Sequence, residues 1–216
     1  MLKPETLQSL PDRLRLGTRE LHAQTERTGA MAALLAGQLT RPQYCAMLRN
    51  LHALYAALEE GLRRQPAAAA VLQLNAHALH REAALAADLG LLHGAQWRSE
   101  LPLQPAARAY AARLHALADQ ASPALVAHVY VRYLGDLHGG QILKRLVARS
   151  LCLAGDGGTC FYEFGDDRQV QALRLGLRGA LGGLALDEAD AQRVVTEARW
   201  AFVQHQRLFT ELAVSA

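Results

Sequence analysis

The chain has 216 residues, and its 23 Lys and Arg against 20 Asp and Glu leave a formal net charge of +3. That length favours one compact domain, and the surplus is too small by itself to draw the protein onto nucleic acid or an anionic membrane. Ala (41) and Leu (40) make up more than a third of the residues, while Val, Ile and Thr together number 19, which argues against a β protein and for an all-α, single-domain, multi-helix fold over 1–216.

Helix punctuation is readable along the chain. Ser9-Leu10-Pro11-Asp12 fits a capping box with proline in the first turn, so a first helix is expected as far as residue 27. Thr28 and Gly37 bracket a short apolar stretch, and Thr40-Arg41-Pro42-Gln43 forms a second capping box. It precedes Tyr44, Met47, Leu51, Leu54, Tyr55, Leu58 and Leu62, whose three- and four-residue spacing marks one buried helical face. Residues 67–92 give only a weak, Ala-rich pattern, and 97–105 reads as a connector. A helix over 105–120 should bury Tyr110, Leu114 and Leu117.

Ser122-Pro123 opens a long helix to about residue 151, closed by a Gly-rich stretch over 154–165. One further helix is expected around 169–184. The last opens at Asp187, with Val195, Ala198, Phe202, His205, Phe209 and Leu212 on one stripe. All seven prolines lie at or before Pro123, so nothing of that kind interrupts these later helices.

Cys45, Cys152 and Cys160 form no Cys-x-x-Cys pair, and their odd number leaves at least one thiol unpaired, which fits a reducing cytoplasm. No signal-like start and no run of about 18 apolar residues is visible.

Two segments carry chemistry. Arg15, Arg19, His22 and Glu26 share one helix face. Imidazole is a common haem-iron ligand, a neighbouring carboxylate can fix its tautomer, and arginines can meet propionates. An ordinary solvated face gives the same spacing. In the second segment, Gly135, Gly139 and Gly140 fall within six residues of a sequence that otherwise reads as helix, each at a cost of about 1 kcal/mol relative to alanine. The return is either close helix packing or a bare, kinked backbone on which a flat ligand rests. Asp136, one turn after Arg132, is either a buried organiser of water or half of a surface ion pair.

Leu21-His22-Ala23-Gln24-Thr25-Glu26 together with Arg132-Tyr133-Leu134-Gly135-Asp136-Leu137-His138-Gly139-Gly140-Gln141 resembles the haem oxygenase family, near its mammalian-type branch, and the likeness extends over residues 10–212. The resemblance implies haem as substrate and cofactor, its iron on His22 of a proximal helix and its other face on a distal, glycine-kinked helix carrying Gly135, Gly139 and Gly140. It implies that Asp136 holds water delivering a proton during oxygen activation, that Arg132, Tyr55 and Tyr110 extend this network, and that the products are biliverdin, carbon monoxide and ferrous iron. It also implies that Arg15, Arg19, Arg174 and Arg178 bind propionates and thereby expose the α-meso carbon, that Tyr130 and Phe202 line the pocket, and that an electron donor such as ferredoxin, flavodoxin or a reductase is needed.

His138 departs from the serine usual at that place and is expected to face outward or to be linked through water. His52, His128 and His205 read as packing or surface residues. Lys144, Arg145 and Arg149 either offset the helix dipole or dock an acidic donor. The end of the chain carries no hydrophobic anchor, so a soluble, bacterial-type member is expected. The rival function is a haem carrier that leaves its ligand intact. Paired Glu-x-x-His motifs and Cys-x-x-Cys-His are absent, which argues against a di-iron oxidase and covalent haem attachment.

Overall fold

The computed structural model describes residues 8–65, 76–153, 155 and 157–214, and among them there is no strand. The principal helices are α1 (Leu10–Glu26), α2 (Gly29–Leu35), α3 (Arg41–Arg64), α4 (Glu82–Leu92) and α5 (Pro105–Asp119). They continue with α6 (Val126–Val129), α7 (Gly135–Ser150), α8 (Asp167–Gly182) and α9 (Glu188–Val214). A five-residue π-helical turn, Tyr130–Leu134, joins α6 to α7 into one continuous rod.

Local chemistry explains the helix starts. The Thr40 side chain accepts from the Gln43 backbone N–H at 3.4 Å, while the Gln43 side chain accepts from the Thr40 backbone N–H at 2.9 Å, which completes the reciprocal box. Ser9 caps α1 differently. Its hydroxyl accepts from the Asp12 N–H at 3.4 Å and donates to the Asp12 carboxylate at 2.6 Å. Asp187 accepts from the Asp190 N–H ahead of α9. The start of α8 moves forward of the expected 169 because Asp166 and Gln169 form a further capping box.

The weak sequence pattern before residue 92 conceals α4, whose buried face sets Asp88 beside Leu85 and Leu89 and so shows no clean apolar stripe. The supposed connector carries the helical turn Trp97–Glu100. The first part of the Ala-rich region, 67–75, lies outside the described residues.

Packing follows the apolar stripes. All seven stripe residues of α3 and all six of α9 are buried, with α3 against α4 and α5, and α9 against α1, α2 and α5. Gly29 secures the elbow between α1 and α2. Its φ of +46° suits glycine, and a Cβ there would collide with the Phe209 backbone carbonyl of α9. This bracing fixes α1 relative to the rod of α6 and α7, and the site lies between them.

Several buried groups tie stability to pH, His52 and Glu197 among them. Burial, with Arg98 and Arg49 close by, holds the His52 imidazole down to about 4. Burial acts to raise the Glu197 carboxyl, but hydrogen bonds from His128 and Arg113 outweigh it and bring the group to about 2. Unfolding releases both, so the unfolded chain binds more protons on the acid side. Stability is expected to fall as pH drops from the ordinary histidine range near 6.5 to about 4 through His52, and further below about 4.5 through Glu197. Urea midpoints measured across this range check it, and His52→Gln should make the upper part of the slope shallower, with the buried His205 and His128 supplying what remains.

Candidate active site

The α1 helix and the α6–α7 rod face each other across a cavity of about 600 Å³, within the size range of small-molecule sites. On the α1 wall stand Arg15, His22 and Glu26. The His22 Nδ1 lies 3.8 Å from Glu26 Oε1, and both side chains are about half exposed. A carboxylate on that side of the ring leaves Nε2 as the nitrogen turned away from it. The ring also meets Phe202 of α9 edge-on, with centroids 5.8 Å apart. Arg19 does not join this wall; it is exposed and outside the cavity lining.

The opposite wall is built by the rod. Gly135 and Gly139 line the cavity, and a Cβ on either would meet nothing within 4 Å. These two glycines therefore expose bare backbone to the cavity rather than seat another helix. Gly140 does not face it: a Cβ there would lie 3.7 Å from the Tyr162 ring, on the packed side. The helical ladder is altered at the π turn before the glycines, and the glycines themselves stay α-helical, so no glycine kink frees carbonyls. His138 is exposed at the cavity, and its Nδ1–H donates to the Leu134 carbonyl at 2.6 Å.

Beside this bare surface lies a polar cluster. Asp136 is 7% exposed. Its Oδ1 accepts from Arg132 Nη2 at 3.0 Å, and its Oδ2 accepts from the Tyr55 hydroxyl. The pair is thus buried rather than a solvated surface contact. Burial pushes the Asp136 carboxyl well above the ordinary carboxylate range and lowers the Arg132 guanidinium, an arrangement suited to taking up and giving back a proton.

Tyr110 takes another place than expected. It lies outside the cavity lining, and its hydroxyl pairs with His128 Nδ1 at 2.8 Å. The His128 Nε2 stands 3.3 Å from Glu197, which Arg113 also holds. This second polar chain nears the first through the ring of His205, whose centroid is 5.1 Å from that of Tyr110. His205 is a cavity residue that its sequence pattern hid. It lines the cavity, is buried, and lies 3.1 Å from Arg132 Nη1. The only signal was a polar ring on the apolar stripe of α9. His52 and His128, by contrast, are packing residues of the interior.

At the rim, Arg15, Arg174 and Arg178 line the cavity, and Arg178 is also tied to Asp12 of α1 at 2.8 Å. Tyr130, Leu134, Ile142, Leu175 and Phe202 supply an apolar lining between this basic edge and the polar cluster.

The family model described as heme oxygenase matches residues 8–211. The chain belongs to the haem oxygenase family. Heme oxygenase 1 of Nostoc is 36% identical over 204 residues, covering 94% of this chain and 86% of that protein. Human heme oxygenase 1 is 35% identical over 213 residues, covering 97% and 74%. Among haem oxygenases of known structure, that of heme oxygenase-1 from Synechocystis in complex with heme superposes with a TM-score of 0.88 at 36% identity, covering 96% of this chain and 94% of that one. The enzyme from Leptospira interrogans gives 0.87 at 31% identity, covering 94% and 100%.

The glycines of this haem oxygenase family member divide into two kinds that substitution should separate. Gly139→Ala is expected to stabilise the helix by about 0.5–1 kcal/mol, since alanine fits the space and favours the conformation. Gly29→Ala should destabilise the fold by more than about 1 kcal/mol, through its positive φ and its backbone collision. Calorimetric melting of the two variants beside the parent checks both signs.

Proposed function

We propose that the cavity holds haem with its iron on His22 and its opposite face against Gly135 and Gly139, and that the ring is opened at the α-meso carbon. Cleavage of haem is the chemistry of the family to which the chain belongs. The observation that carries the residue assignment is one apolar cavity with a lone imidazole on one wall, bare helix backbone on the other, and a buried carboxylate beside that backbone.

The residues fit the group. Among the described residues no cluster of three or more His, Cys, Asp or Glu could hold a bare metal ion, so the single imidazole of His22 suits a metal whose remaining ligands come with it. The apolar lining suits the macrocycle, and the guanidinium groups of Arg15, Arg174 and Arg178 suit its propionates. Haem, when bound, supplies the iron at which dioxygen is activated and the carbon that is oxidised.

Each residue then has a physical task. The Asp136 carboxylate, held by Arg132 and Tyr55, keeps a water in place on the cavity side and passes a proton through it. Gly135 and Gly139 let the backbone approach closely, which excludes solvent and confines the reaction to one edge. The basic rim sets the in-plane rotation and hence which meso carbon faces the confined edge. Release of biliverdin, carbon monoxide and ferrous iron completes the reaction.

The experiment is a haem titration followed by turnover with a reductase. His22→Ala should abolish the parent's imidazole-ligated spectrum. Asp136→Ala should bind haem normally and form biliverdin about 100-fold more slowly or worse. Chromatography of the parent's product should give the α isomer. A haem that stays intact under reductant and oxygen would make the chain a carrier, and Asp136→Ala turnover at the parental rate would remove the role given to that carboxylate.

Electrons come from a separate acidic donor, such as ferredoxin, flavodoxin or a reductase. Lys144 is paired with Glu163, whereas Arg145 and Arg149 are exposed on α7, the helix that also lines the cavity. Arg145→Glu combined with Arg149→Glu should slow donor-supported turnover and reduce its salt dependence, as measured in stopped-flow reduction at several ionic strengths.

A further inference from the structure

We infer that His205 is a positioning residue that fixes Arg132, and through it Asp136, by acting as a neutral hydrogen-bond acceptor. The inference rests on the proposed role of Asp136 and adds the group that orients it. The ring sits on α9, 2% exposed, with Nδ1 2.8 Å from the Ala201 carbonyl and Nε2 3.1 Å from Arg132 Nη1. A carbonyl can only accept and a guanidinium can only donate. The two contacts therefore leave one form: a proton on Nδ1 and a lone pair on Nε2. An imidazolium has no lone pair for Arg132 and would set two cations against each other.

The surroundings maintain that form. From α5 the Tyr110 ring packs edge-on, from α9 itself Phe209 packs at 6.0 Å, and from the rod come Arg132 and, further off, His128. The Tyr110 hydroxyl pairs with His128 Nδ1, and the His205 ring nitrogens have no carboxylate contact. Burial and the Arg132 charge hold the group at about 3, so the acceptor persists throughout the neutral range.

Arg132 needs such a hold. Its bond to Asp136 spans one turn of its own rod, and its Nε is buried without a hydrogen-bond partner. The Tyr55 ring of α3 lies 5.3 Å from the Arg132 guanidinium carbon and packs against one face of the group, but gives its N–H groups no acceptor in the guanidinium plane. His205 supplies the hydrogen bond from a second helix, so the guanidinium is gripped from two directions and presents a fixed edge to Asp136.

The test uses His205→Phe, which keeps a ring but loses the acceptor, and His205→Gln, which restores a neutral acceptor at similar reach. In haem-free protein, nitrogen-15 NMR of the parent should show the Nδ1–H tautomer, unchanged between about pH 5 and 8. Infrared titration, with Asp136→Asn to identify the carboxyl band, should show the proton affinity of Asp136 rising about tenfold in His205→Phe and returning in His205→Gln. In the haem-loaded protein, His205→Phe should lower kcat about tenfold with little change in haem affinity, and His205→Gln should recover most of it. An Nε2–H tautomer, titration near the ordinary histidine value, or an unaltered Asp136 titration in folded His205→Phe would overturn the inference. Should His205→Phe not fold, the tautomer of the parent and the Asp136 titration of His205→Leu, which also lacks the acceptor, decide in the same way. The haem-free readouts stand apart from haem ligation by His22, so failure here and failure of the proposed function are distinguishable.

Discussion

The structure turns on one buried ion pair. A carboxylate and a guanidinium removed from water cost several kcal/mol each in solvation, which is recovered only if geometry and further hydrogen bonds are good. Asp136 and Arg132 meet that demand with Tyr55 on one side and His205 on the other. Three separate helical elements must therefore converge: α3 brings Tyr55, the π turn and α7 bring the pair, and α9 brings His205. The apolar stripes of α3 and α9 hold these elements in register, so core packing and the chemistry of the cavity share one framework.

Much of this was legible in the sequence because it is local. Capping at Thr40 and Asp187 and the stripes of α3, α5 and α9 depend on residues within a few positions of each other. The same holds for the faces that carry His22 with Glu26 and Arg132 with Asp136. The family resemblance added what periodicity alone left open, namely the expectation that these two faces meet across one site, and both do line one cavity.

What escaped was set by distant contacts. Gly135, Gly139 and Gly140 look alike in sequence, yet only the fold shows two of them open to the cavity and the third against Tyr162. Arg19 has the helical spacing of a pocket residue, but the cavity does not extend to it. Tyr110 and His205 exchange expected parts: the tyrosine turns to His128 and the histidine to Arg132. Such choices depend on which of two adjacent side chains reaches a partner on another helix, and spacing along one helix carries no record of that. The helix α4 was obscured for another reason, its buried face mixing Asp88 with leucines so that no periodic signature remains.

The π turn at Tyr130–Leu134 has a consequence for how this segment tolerates change in length. Such a turn spends an extra residue without completing an extra α-helical revolution. It works as an angular offset between the halves of the rod, setting the azimuth of every downstream side chain. Loss of one residue there would let the rod relax to an unbroken α-helix with its halves still facing as they do, whereas straightening it at full length would turn one half against the other by about 100°, the step of a single residue. Composition, charge and stripe would survive almost intact, while Asp136 and the two open glycines would be aimed elsewhere.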